Sequence, residues 1–377
     1  MNTDTLKGFC DYDGKEAEKR AVVKEVIRQT FERYGFAPAE TPVIESEEFV
    51  RGENTDDEAV SDIYKLQDKG KRKLALRYEF TFQLKRLMKN KKLPFKRYQI
   101  GPLFRDEPVG PNRFRQFIQC DADVVGSTIK DEAEIIAMTS EILKALKIDF
   151  VILVNSRKLL NEILDDLKIK KNREKILREL DKLGKLKLQE TQDNLTNLGA
   201  ENLLEAINNG EEYFSKFNSY KEIISLIDYC RTYSVKIVLS PSMVRGLSYY
   251  NRSVFEIKAK KIKETIVAGG SYEFNKVQCT GISFGIERLC AVADLIVNLE
   301  KYLIVSLEQD REAIKLAQKL RRQNKNVSIY YGRPSKALEY ANSYGIQNVI
   351  FVGAKEVRAK KFKIKIMKTG KECLLKI

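Results

Sequence analysis

Apolar positions along this chain change their period several times, and each change marks a boundary. From Glu16 to Tyr34 they recur at helical spacing (Ala17, Ala21, Val22, Val26, Ile27, Phe31) up to Gly35, which predicts one amphipathic helix. Pro42 to Ile44 reads as a short extended segment, and Leu74 to Leu87 as a strand running into a helix. Alternation over Phe95–Phe104 and Arg113–Val125 predicts two paired antiparallel strands. Asp131 to Leu146 reads as a helix with Asp131 and Glu132 at its positive end, and Phe150 to Val154 as a strand.

From Ser156 to about Tyr233 the texture shifts to Leu, Ile, Lys and Glu at helical spacing, with almost no aromatic residue before Tyr213. That predicts a helical insertion domain over 156–235. Strand-like sequence returns at Lys236–Leu239 and Ser253–Ile257, followed by a loop around Gly269 and Gly270, and Gly281–Val297 then runs from strand to helix. The last segment alternates strand Tyr302–Val305, helix Glu312–Gln323, strand Val327–Tyr330, helix Lys336–Ser343 and strand Asn348–Val352. A βαβαβ order implies a small α/β domain with a parallel sheet, over 299–377. The remaining stretches, 1–155 and 236–298, would form one core.

Composition narrows the chemistry. With 377 residues, 43% apolar and 32% charged, the chain is long enough for two or three domains with cores of their own, as expected of a soluble protein. No apolar run nears membrane-spanning length, and the N-terminus MNTDTLKGF lacks the apolar core of a signal peptide, so a cytoplasmic location without membrane contact is expected. The six cysteines are scattered with no CxxC pair, which points to reduced thiols rather than a disulfide framework or a zinc site. There is no histidine at all, which removes Ser-His-Asp triads, Cys-His dyads, imidazole bases and His-ligated metals together. Catalysis has to rest on Arg, Lys, carboxylates, Tyr and bound ions. The net charge of +15 is uneven: from Lys301 to Ile377, 18 Lys and Arg stand against 6 Asp and Glu, a net +12. Such a segment attracts polyanions. Arg311, Lys315, Lys319 and Arg322 fall on one helix face there, suited to phosphates.

The densest candidate chemistry is Phe104 to Asp123, FRDEPVGPNRFRQFIQCDAD. Arg105, Arg113 and Arg115 surround Glu107, with Phe114 and Phe117 interleaved. Guanidinium forks match phosphate oxygens and an aromatic face can stack on a purine. A loop with Gly110 and Pro111 between two strands fits a nucleotide triphosphate; spacing alone fits an ordinary charged hairpin equally well.

That segment resembles motif 2 of class II aminoacyl-tRNA synthetases, in its histidyl-tRNA synthetase form. MVRGLSYYNRSVFE, from Met243, resembles the histidine-binding signature of that family, and GISFGIERL, from Gly281, resembles motif 3. Upstream, KGFCDYDGKEAEKR and RYGFAPAETPVIE resemble the family's N-terminal segment and motif 1, with Pro42 at the motif 1 proline. The similarity runs in order from about Lys7 to about Ile377. It implies an α+β fold: a class II antiparallel sheet flanked by helices, with a helical insertion and a C-terminal α/β anticodon-binding domain. By resemblance the domain stops near Ile377, about where a last helix would be expected, so a trimmed domain is expected. The implied activity is ATP-dependent activation of histidine and its transfer to tRNA(His), by a homodimer joined around Pro42, with Mg²⁺ accompanying ATP and no protein ligand assigned to it.

Activation of this kind needs no general base. The amino-acid carboxylate, with a pKa near 3.5, is already an anionic nucleophile, and the task is in-line geometry and neutralisation of phosphate charge. By resemblance, Arg105 grips the α-phosphate, Glu107 contacts the adenine side and Phe117 stacks on the purine. Arg113 and Arg288 hold the β- and γ-phosphates, and Arg245 is the catalytic cation at the α-phosphate. Histidine falls to Glu79, Thr81, Gln119, Asp123, Tyr249, Tyr250 and Tyr272, with Glu79 and Thr81 at the α-amino group and Asp123 and the tyrosines around the imidazole.

Three departures stand out. Ser248 replaces the aspartate usual before the paired tyrosines, Gly269–Glu273 reads GGSYE where GGRYD is common, and the loop between Glu107 and Arg113 is PVGPN. The last leaves recognition of the tRNA acceptor end open. A histidine-binding regulatory paralogue of an ATP phosphoribosyltransferase, or a non-catalytic tRNA sensor, would share the fold. The paralogue typically loses the catalytic arginine and the C-terminal domain, and Arg245, Arg288 and the βαβαβ tail argue against it.

Overall fold

The helical spacing near the N-terminus folds as α1 (Gly14–Arg33), which buries Val23, Ile27 and Phe31. The computed structural model describes residues 3–52, 58–183, 187–244, 249–295 and 299–375. Contacts divide the chain into two units, Met1–Leu295 and Ile296–Ile377.

In the first unit α1 is followed by β1 (Ala37–Pro38), β2 (Ile44–Ser46), α2 (Glu47–Arg51), α3 (Glu58–Ser61), β3 (Lys65–Gln67), β4 (Lys73–Leu76) and α4 (Thr81–Leu87). Strands β5 (Phe95–Phe104) and β6 (Gln116–Val125) precede α5 (Ile129–Ala145) and β7 (Phe150–Ser156). Helix α5 opens on a reciprocal cap, Thr128 accepting from Lys130 N while Asp131 takes the Thr128 N–H. Six helices follow: α6 (Arg157–Asp166), α7 (Arg173–Asp181), α8 (Leu188–Asn197), α9 (Leu203–Ile207), α10 (Glu211–Ser215) and α11 (Asn218–Thr232). They share one apolar core with the sheet strands and α5. The unit closes with β8 (Val238–Leu239), β9 (Tyr250–Ala259), β10 (Thr265–Phe274), β11 (Val277–Gly285) and α12 (Ile286–Val292).

The main sheet runs β1-β5-β6-β11-β10-β9-β7-β8, antiparallel except at its two edges, where β1 pairs parallel with β5 and β8 with β7. Strand periodicity sorts its side chains. On β6, Cys120, Ala122 and Val124 join the core under the helices, together with Ile282 and Phe284 of β11. Phe117, Gln119, Asp121 and Asp123 take the opposite face. The helices cover one side of the sheet, and the polar side is left for chemistry.

Gly269 and Gly270 do not form the predicted loop. They lie inside β10, paired with both neighbours. A Cβ at Gly269 would collide with the Phe255 ring and the Gly281 carbonyl, and one at Gly270 would come within 2.6 Å of Ser253 O. Close strand approach, not a turn, demands these glycines. Strand β6 also starts later than the alternation predicts, because Arg113 pairs with Gly110 across the loop and Arg115 N donates to Gly8 O.

The second unit follows the predicted order as β12 (Lys301–Ser306), α13 (Asp310–Arg322), β13 (Asn326–Tyr331), α14 (Pro334–Ser343) and β14 (Asn348–Val352). It then adds α15 (Ala354–Ala359) and a hairpin, β15 (Lys363–Ile366) with β16 (Glu372–Leu374). The sheet order is β13-β12-β14-β15-β16, parallel over the first three strands and antiparallel after them. This hairpin is the last element among the described residues.

Candidate functional site

A cavity of about 300 Å³ opens on the polar face of the main sheet. It is lined by Glu79, Thr81, Arg105, Glu107, Arg113, Phe117, Gln119, Asp123, Tyr249, Tyr250, Tyr272 and Arg288, which gathers the sequence candidates into one place. Arg245 and Ser248 lie outside the described residues.

At one end Asp123 is almost fully buried and accepts a hydrogen bond from the Tyr272 phenol. Arg97 Nη2 lies 2.9 Å from Asp123 Oδ2 and also donates to Phe80 O at 3.2 Å. Asp123 and Tyr272 approach because the cross-strand partner of Asp123 is Gly281. Burial pushes the Asp123 carboxyl up, against the pull of Arg97 and the Tyr272 phenol. Tyr249, Tyr250 and Tyr272 pack as one aromatic wall, with centroids 4.7 Å apart for Tyr249–Tyr250 and 5.5 Å for Tyr249–Tyr272. Burial first, then the neighbouring Tyr250 and Glu79, raises the pKa of the Tyr249 phenol, while Thr81 opposes the rise. The result is a polar slot walled by rings, suited to a flat heterocycle with an N–H.

At the other end three guanidiniums converge. Arg105 Nε donates to Tyr78 O at 3.1 Å, and its Cζ sits 5.2 Å from the Phe117 ring centroid. Arg113 pairs with Glu107, and Arg288 Nη1 donates to Thr265 O at 2.8 Å. The Arg288 pKa is lowered, by burial first and then by the nearby Arg113 and Arg105 cations. Like charges held this close favour a polyanion. The sequence reading of Phe117 as a purine stacker meets a ring that Arg105 already faces. Arg105 and Phe117 thus form one cation–ring surface on the cavity wall.

The frame behind these groups is charged as well. Glu287, next to Arg288, takes a 2.7 Å ion pair from the buried Arg20 and accepts the Ile118 N–H at 3.1 Å. This clasps α1, β6 and α12 together. Arg20 in turn covers the Tyr12 ring at 3.8 Å.

Sequence reasoning missed two residues here. Arg97 sits beside Lys96 and Gln99 on β5, where nothing in the sequence singles it out, and only pairing of β5 with β6 sets it opposite Asp123. Asp121 shares the cavity face with Asp123 by simple alternation, a signal present in the sequence. Burial, then Asp123, pushes its carboxyl up to about 7, while Arg97, Ser283 and Gln119 oppose the rise.

The GGSYE departure resolves plainly. Ser271 points to the helix side of the sheet, fully buried, and donates to Glu132 Oε1 at 2.6 Å. Ser253 donates to the same carboxylate. Glu132 stands in the first turn of α5 as predicted, but buried against the sheet, where Ser253 and Ser271 donate to it and burial raises its pKa.

The family model described as Histidyl-tRNA synthetase matches residues 8–289, and the one described as Anticodon binding domain matches residues 295–377. Histidine–tRNA ligase 1 of Bacillus cereus is 31% identical over 413 residues, covering 99% of this chain and 97% of its own length. Among solved structures, histidyl-tRNA synthetase from Nostoc sp. PCC 7120 superposes with a TM-score of 0.87 at 24% identity, covering 100% of this chain and 97% of that one. A Bacillus halodurans protein titled ATP phosphoribosyltransferase regulatory subunit/histidyl-tRNA synthetase gives 0.78 at 20% identity, with 93% and 98% covered. At these identities the two structures speak to the fold alone.

Proposed function

We propose a division of labour among the cavity residues of a chain that belongs to the histidyl-tRNA synthetase family. The protein is a histidine–tRNA ligase and consumes ATP. Its imidazole end is Asp123 with Tyr272, Tyr250 and Tyr249; Glu79, Thr81 and Gln119 meet the α-amino side; Arg105, Arg113, Arg288, Glu107 and Phe117 take the nucleotide. The single observation that supports this order is the run of Asp123, Asp121, Gln119 and Phe117 along one face of β6, from the tyrosine wall to the guanidinium cluster. Six residues of strand span about 20 Å, enough for histidine and the α-phosphate end to end.

In the first step the histidine carboxylate attacks the α-phosphorus and pyrophosphate leaves. Arg105 and Arg288 neutralise charge that grows on the phosphates, and Arg245 carries the same role at the α-phosphate by resemblance. No side chain needs to take a proton. In the second step a hydroxyl of the terminal ribose of the tRNA displaces AMP. Among the described residues no group of three His, Cys, Asp or Glu could hold a metal. Mg²⁺ accompanying ATP would shield the triphosphate charge.

The tRNA is tRNA(His). Arg311, Lys315, Lys319 and Arg322 are exposed along α13, opposite the buried Ala313, Leu316, Ala317 and Leu320, and suit its backbone. We assign 1–155 with 236–298 to the catalytic core, 156–235 to a helical insertion and 299–377 to anticodon binding. The protein works as a homodimer. Support comes from the small sheet β2-β4-β3, where Ile44 and Leu66 are exposed beside half-buried Leu74 and Leu76, close to Pro42. Among the described residues no helix is long and apolar enough to cross a membrane, and a role in translation fits the cytoplasm. Charging of a tRNA(His) transcript with labelled histidine tests the reading; charging with a different amino acid instead would overturn it.

A further inference from the structure

Gln119 has no side chain across from it on either neighbouring strand. Its partner on β5 is Gly101 and its partner on β11 is Gly285. The group that holds its amide is two residues along the same strand face: Gln119 Nε2 donates to Asp121 Oδ1 at 2.9 Å and to Oδ2 at 3.1 Å. Among the described residues nothing donates to Gln119 Oε1, although Gln119 is 8% exposed and lines the cavity. A carboxylate accepts and cannot donate, so it captures the NH₂ end of an amide and turns the oxygen away.

We propose that Asp121 is a positioning residue that fixes the Gln119 amide with Oε1 toward the cavity, as the acceptor for the α-ammonium group of the amino acid. The inference rests on the reading of the cavity as a histidine site. Gln119 lies four residues from Asp123 toward Phe117, about 13 Å along the strand. An acceptor there meets the amine of a substrate whose ring sits at Asp123. Asp121 itself is 5% exposed and acts through Gln119.

The test uses two competitive inhibitors of histidine activation: histidinol, which keeps the ring and the amine, and 3-(imidazol-4-yl)propionate, which keeps the ring and the carboxylate. Assays run at pH 8, above the value of about 7 to which burial pushes the Asp121 carboxyl. Asp121→Asn keeps the shape but offers its own NH₂, so the Gln119 amide can turn over. D121N is expected to weaken histidinol by about 10- to 100-fold and the propionate by no more than about twofold, as loss of one hydrogen bond to a charged group implies. Adding Gln119→Glu restores an acceptor-only group at 119, facing the amide donor that D121N introduces, and is expected to recover histidinol binding to within about fivefold of wild type. Equal weakening of both inhibitors, no weakening of either, or a deeper loss in the double variant overturns the proposal alone. A wild-type enzyme inhibited by neither compound overturns the histidine site and the proposal with it. Should D121N alone fail to fold, the double variant against wild type gives the decision on the same two inhibitors.

Discussion

Asp123 faces Gly281 across the β6–β11 ladder, and the missing side chain at Gly281 is what lets the Asp123 carboxylate reach the Tyr272 phenol. A Cβ at residue 281 would collide with Asp123 Oδ1 and lie 3.3 Å from the Tyr272 ring. Gly281→Ala is therefore expected to push Asp123 off its partner and raise KM for histidine by about tenfold or more, with KM for ATP unchanged. Pyrophosphate exchange with each substrate varied in turn measures both. An unchanged histidine KM would mean that Asp123 does not contact the imidazole.

Ser271 offers the opposite contrast. It donates to the buried Glu132 from the helix side of the sheet. Ser271→Ala should cost about 1–3 kcal/mol of stability, the penalty for a buried acceptor left short of a donor. Denaturant melts measure the loss. KM for histidine should stay as it is, and a rise without loss of stability would place Ser271 in ligand binding instead.

Asp121 should leave a pH signature on stability. Its carboxyl is raised in the folded state from 3.8 to about 7, by burial first and Asp123 second. The native state then holds a proton that the unfolded chain has already released. Stability is highest below the unfolded value and falls as pH rises through the folded one. Wild type is expected to lose stability relative to D121N between about pH 4 and about pH 7, and to change little in that difference above. A difference that is flat over that window, or that grows in favour of wild type with rising pH, contradicts a carboxyl raised by burial beside Asp123 here.

Arg245, assigned by resemblance, carries a simple expectation. Arg245→Ala should lower the activation rate by about 10²–10³, the usual effect of removing one electrostatic donor at a developing charge. Stopped-flow or exchange rates at saturating substrates measure it. Near-normal turnover would remove Arg245 from the catalytic role.

Much of this was legible in the chain. Periodicity placed β5 and β14 at the residues where they fold, because each sits in a well-defined pattern bounded by turns. Motif order brought the cavity residues together in advance. What stayed hidden depended on partners far away in sequence. The glycines at 269 and 270 look like a loop until β9 and β11 press on them from both sides. Glu132 is the helix-start residue the sequence predicts, but its burial shows only when Ser253 and Ser271 arrive from β9 and β10. Arg97 becomes a partner of Asp123 only through strand register. The first strand of the C-terminal hairpin was legible, since Lys361–Ile366 alternates polar and apolar residues strictly; its partner Glu372–Leu374, three residues long, carries no pattern of its own.

The central claim is that this cavity activates histidine. ATP–pyrophosphate exchange with each of the twenty amino acids tests it most directly. Exchange supported by histidine and by no other amino acid is the expected result. No exchange with histidine, while histidine still binds, would contradict it and point to a regulatory paralogue on the same fold.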